Sequence, residues 1–156
     1  MIDPRLAVAM RLKIETIDTR LVGRVSPNSA PPSRKRLYAV YKLSDGESIS
    51  SLRGKDGAAQ SGLAVCNLNI QVWSEGGYET CGAIAHKIKG TRNSPRLDGF
   101  AGPLPFPAFE HYAAGNIYVS PIKYIDGEEY QEFGPNDQET GWFCADSDYT
   151  IYYVEK

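Results

Sequence analysis

Apolar residues keep helical spacing in only two stretches of this chain, and in most of the others they alternate. Two helices are too few to serve as crossovers for a parallel sheet of several strands. The order of elements is helix, strand, strand, helix, strand, strand. It restricts the chain to an α+β domain: a mostly antiparallel or mixed sheet of about four to five strands packed against two helices, with two long loop insertions. A chain of 156 residues suits one domain, 1–156. It buries roughly 70% of its unfolded surface, so it needs no disulfide or metal to fold.

The first helix starts at Asp3–Pro4, where a carboxylate can cap free amides and proline fits the first turn. Leu6, Met10, Ile14, Ile17 and Leu21 follow at spacings that confine them to an arc of about 80°. Val8 and Leu12 point the other way, either as isolated surface apolars or as a contact face for a neighbouring subunit. Gly23 ends the helix. Val25–Pro32 reads as an extended connection, since Pro31 and Pro32 forbid helix and discourage a central strand. Leu37–Leu43 is a strand, and Leu63–Ser74 is a longer one with Cys66, Leu68, Ile70 and Val72 on its core face. Trp73 falls on the opposite, mostly polar face. Gly77–Gly90 is the second helix, with Tyr78, Cys81, Ile84, Ala85 and Ile88 on one side. Gly82 inside it costs about 1 kcal/mol relative to alanine.

Asp45–Gly62 and Thr91–Asn116 are the two insertions. The second contains Gly102–Phe109, whose three prolines argue against regular structure while Leu104, Phe106 and Phe109 favour burial. It either folds back on its own domain or docks on a partner. Ile117–Ile125 is strand-like, with Pro121 marking an edge or bulge. Asp126–Gly141 reads as an acidic loop. The final strand, Tyr149–Val154, sets Tyr149, Ile151 and Tyr153 against Thr150, Tyr152 and Val154.

Net charge is only -2, but it is unevenly placed. Residues 1–60 carry 11 Lys or Arg against 6 acids, and residues 126–156 carry 9 acids against one Lys. Opposite-signed regions suit solvated faces, or a head-to-tail contact between subunits that closes into a ring. The triplet Arg34, Lys35 and Arg36 is the candidate basic contact, opposite Glu128, Glu129 and Glu132.

No common catalytic pattern is present. His86 and His111 are not paired, so they offer no metal-ligand spacing. The acids of Asp126–Glu132 do not keep the alternation of a calcium loop. The glycines do not form a phosphate loop, and Cys66, Cys81 and Cys144 read as buried thiols. The sequence therefore points to no catalytic residues, no metal and no cofactor. It contains no long apolar run able to span a membrane, and Arg5, Arg11 and Lys13 interrupt any signal-peptide pattern. The three unpaired cysteines suit a reducing compartment, the cytoplasm.

The order of segments resembles the tail-completion, or tail-terminator, proteins of long-tailed bacteriophages. The resemblance rests on Gly23, Arg24, Val25, Pro27, Ala30 and Pro31, then the aromatic strand Tyr38–Tyr41. It continues through Ile70, Val72 and Trp73, the short helix Tyr78–Ile88, and the aromatic strand Asp148–Tyr153. It spans about the whole chain apart from the two insertions. The resemblance implies a structural virion protein at the head-proximal end of the tail. Such proteins form a ring, commonly of six copies, that ends tube polymerisation. Its partners would be further copies of itself, the tail tube protein and a head–tail connector or stopper, with DNA passing through the lumen without specific binding. Phe106 and Phe109 are the candidates for docking to tube or head. Another neck component, an adaptor or stopper, is the nearest alternative. A small α+β nucleic-acid-binding domain is a further one, through Arg34–Arg36 beside Tyr38 and Tyr41.

Overall fold

The structure, a computed structural model, describes residues 2–29, 36–45, 63–75, 77–91, 93, 96–133 and 139–154. Two α-helices, α1 (Pro4–Ile17) and α2 (Tyr78–Lys89), pack on one face of a seven-stranded mixed sheet. The strands are β1 (Val25–Pro27), β2 (Leu37–Asp45), β3 (Leu63–Ser74), β4 (Gly102–Phe106), β5 (Gly115–Val119), β6 (Lys123–Phe133) and β7 (Glu139–Val154). The class is the expected α+β, with more strands than the four to five expected. The order is β1-β2-β3-β7-β5-β4, and β6 also pairs with β7. Only β1 and β2 run parallel.

The first helix starts as expected but ends at Ile17, short of the stop expected at Gly23, because Asp18 leaves helical geometry and begins a separate 3-10 turn. The Asp3 carboxylate accepts from the Arg5 amide at 2.9 Å, and Leu6, Met10, Ile14, Ile17 and Leu21 are buried together. Asp18 repeats the device one element later. It accepts from the Arg20 amide at 2.9 Å and starts a 3-10 turn, Thr19–Leu21. Gly23 then turns the chain with φ of 71°, a region that costs glycine little. Tyr41 on β2 donates its hydroxyl to the Ala7 carbonyl at 3.1 Å, fixing α1 over the sheet. The helix touches β1 and β4, the two ends of the strand order.

The central strands carry the core. Ala39 and Tyr41 of β2, Cys66 to Val72 at alternate positions of β3, and Tyr149, Ile151 and Tyr153 of β7 all face the helices. Leu104, Phe106, Ile117 and Val119 extend that core through β4 and β5.

Three expectations change. The proline-rich insertion contains a strand: β4 holds Pro103 and Pro105 and pairs with β5, Leu104 opposite Ile117. Residues two apart present their backbone to the same side of a strand. Both prolines can therefore turn toward the open edge, where no N–H is needed. The acidic segment expected as a loop is instead strand on both sides: β6 runs through Asp126–Phe133 and β7 starts at Glu139. Edge strands with a solvated face accept charge readily. The extended connection after Gly23 forms β1, whose Pro27 also lies on the sheet's margin. Pro121 separates β5 from β6, which share one side of β7. Of the first expected insertion, Asp45–Gly62, residues 46–62 lie outside the described residues.

Candidate functional site

Three surfaces carry the groups that could act. The first is the sheet face without helices. Strand alternation places Tyr38, Trp73, Trp142 and Tyr130 together at one end of it. Tyr38 stacks on Trp73 at 6.4 Å and meets Trp142 edge-on at 5.4 Å, and Trp73 meets Tyr130 edge-on at 5.8 Å. Beyond them lie four carboxylates in facing pairs. Asp126 stands opposite Asp148, and Glu128 opposite Asp146. Asn69 donates to both Asp146 and Asp148, and Gln71 reaches Asp146 at 3.4 Å. Facing like charges cost roughly 0.2–1 kcal/mol per pair, and the two amides offset part of that.

The second surface is a groove of about 600 Å³ between α1 and β4. Ala9, Leu12, Phe100, Leu104 and Phe106 form its apolar wall, and the prolines of β4 stiffen one side. Lys13 stands at its rim with Nζ 4.1 Å from the Phe100 ring centroid.

The third is a cleft of about 400 Å³ between α2 and the β6–β7 pair, lined by Gly82, His86, Lys89, Tyr124 and Glu129. Lys89 lies over the Tyr124 ring at 4.0 Å.

Of the basic triplet, Arg34 and Lys35 lie outside the described residues. Arg36 is 93% exposed at the start of β2, 4.0 Å from a Glu75 carboxylate oxygen. Glu128, Glu129 and Glu132 do not form one patch, because they belong to a strand and not a loop. Glu128 faces Asp146 on the helix-free side, whereas Glu129 points at Gly82 of α2. Glu132 is half-buried near the end of β6. Phe106 is 7% exposed and joins the core, and Phe109 is half-buried against it. The two rings meet edge-on at 6.2 Å, and Phe109 stacks on Tyr112. What this region leaves open at the surface is the groove that Phe106 lines.

Tyr38 and Tyr41 fall on opposite faces and are both buried. Two bases could not stack on them side by side, so the nucleic-acid alternative loses its aromatic platform.

The reactive groups are muted. All three cysteines are buried. Burial, with Asp45 nearby, pushes the Cys66 thiol up to about 12, and burial does the same to Cys144. His86 and His111 are exposed, His111 stacked on Tyr112. Among the described residues no group of His, Cys, Asp and Glu could hold a metal ion. Nor is any helix among them long and apolar enough to cross a membrane.

Sequence reasoning missed Asp146 and Asp148 as partners of the β6 acids. Their spacing of two within a strand was the available signal. It also missed Asn69, Gln71 and Phe100, whose roles arise only from register and packing.

No family model matches the chain, and no curated protein matches it. Among solved structures it is similar to a chain in the virion of a native gene transfer agent particle. The TM-score is 0.53 at 14% identity, over 97% of this chain and 95% of that one. At that identity the likeness is one of fold.

Proposed function

We propose that the chain is a structural virion protein of the tail-terminator kind. It forms a ring on the head-proximal end of a tail tube, ends tube growth and offers the surface that joins the head. The observation that carries this reading is the fold likeness to a virion chain over nearly the full length of both. The segment order supports it independently of that comparison. The charge asymmetry supports a head-to-tail ring, in which one subunit's basic region meets the next one's acidic region.

In this reading the helix-free face turns toward the lumen. Asp126, Glu128, Asp146 and Asp148 would repel passing phosphates and keep DNA from adhering. The groove between α1 and β4 is left as a protein contact surface.

Electron microscopy of particles assembled without the protein tests the role. Overlong, unjoined tubes that return to a fixed length on its restoration establish a terminator. Tails of normal length that fail to join heads assign it to the neck as an adaptor or stopper. Complete, normal particles overturn both.

A further inference from the structure

We infer that the groove between α1 and β4 receives the acidic end of β6, around Glu132, from a second copy of this chain. The inference rests on the ring reading and specifies its contact.

The rim of the groove is cationic. Lys13 lies over Phe100, with the Arg96 guanidinium close enough for its charge to be felt. Burial and that neighbouring cation hold the Lys13 ammonium below the ordinary lysine range. Among the described residues no ion pair involves Lys13 or Arg96. Two neighbouring cations beside an apolar wall suit a segment that brings carboxylates with apolar or aromatic flanks.

This chain carries such a segment. At the end of β6, Glu132 follows Tyr130 and Gln131 and precedes Phe133, and it belongs to the acidic region 126–156.

One subunit cannot close this contact on itself. Gln131, beside Glu132, pairs with Phe143 near the start of β7. The groove lies at the other end, where Ser120 bonds Tyr152 and Phe100 bonds Ile122. Strand rise places those two rows roughly 30 Å apart. Donor and acceptor surfaces sit at opposite ends of one strand, which is the arrangement of a heterologous contact that repeats around a ring.

Zero-length carbodiimide cross-linking of the full chain, in concentrated solution and in assembled particles, tests the contact. The expected product is a covalent oligomer in which Lys13 is joined to Glu132. The separation forbids that link within one subunit. Lys13→Glu should weaken self-association by about fivefold, as should Glu132→Lys, and an equimolar mixture of the two variants should recover pairing. An oligomer whose cross-links omit Lys13 overturns the groove assignment and leaves the ring standing. A chain that is monomeric in both settings overturns the ring and the groove together.

Discussion

The carboxylate of Asp18, just past the end of α1, stands 3.7 Å from the ammonium of Lys87 on α2. Asp18 is 2% exposed and also holds the Arg20 guanidinium at 2.8 Å. One buried acid thus caps a 3-10 turn, pairs with its neighbour and ties the two helices across the sheet. Its side-chain bond to Arg20 is the main cause that brings its pKa down to about 2. The folded value lies below the unfolded one of 3.8, so the carboxylate stabilises the fold above about pH 4. That contribution, on the order of 2 kcal/mol, is lost as pH falls toward 2. Urea unfolding of wild type and Asp18→Asn across pH 2–7 checks it. The gap should be constant above pH 5 and close at the acid end. A gap independent of pH would assign the effect to capping alone.

Two glycines in one cleft should respond oppositely to alanine. A Cβ on Gly82 would meet only the end of the Glu129 side chain, 2.5 Å away and free to swing aside. Gly82→Ala should therefore recover much of the helix penalty, raising stability by about 0.5–1 kcal/mol. A Cβ on Gly127 would meet the Asp146 backbone carbonyl at 3.2 Å and the Tyr124 hydroxyl. Gly127→Ala should lower stability by about 1–2 kcal/mol, since a strand backbone cannot yield as a side chain does. Thermal midpoints of both variants decide the matter, and equal shifts would refute the account.

Tyr149 lies in the core at 1% exposure, and its hydroxyl finds no partner among the described residues. A buried unpaired hydroxyl costs about 1–3 kcal/mol. Tyr149→Phe keeps the ring's edge contact with Tyr124 at 5.5 Å and removes that cost. Its urea midpoint should rise, equivalent to about 1 kcal/mol. A fall of similar size would mean that the hydroxyl is satisfied after all.

Periodicity made the core legible wherever one face is buried. The stripe from Leu6 to Leu21, the alternation from Cys66 to Val72, and Tyr149, Ile151 and Tyr153 each needed only local spacing to read. The sequence misled where polarity or proline imitated a loop. Asp126–Phe133 looks like a solvated turn, yet one strand edge and one open face suffice to make it a strand. Pro103 and Pro105 look prohibitive, yet their separation by one residue is what an edge strand allows. The candidate surfaces were less legible because each depends on register between distant strands. Glu128 and Glu129 are adjacent in sequence and on opposite faces in space. Lys13 and Phe100 meet only after β4 and α1 have packed.

The facing carboxylates offer a test in which stability and role should move apart. Asp126 opposes Asp148 and Glu128 opposes Asp146, so each pair carries a repulsion that the fold gains nothing by keeping. Asp126→Asn with Glu128→Gln retains side-chain oxygens, including the one that accepts from the Gly127 amide at 2.8 Å. The double variant should therefore be more stable by about 0.5–1.5 kcal/mol in urea, with the larger value at low salt. If the face lines a DNA passage, the same variant should slow DNA release from assembled particles while leaving tail length unchanged. A stabilised protein with wild-type release would remove these acids from the lumen. A protein that is not stabilised would show that the Asn69 and Gln71 amides already neutralise the repulsion.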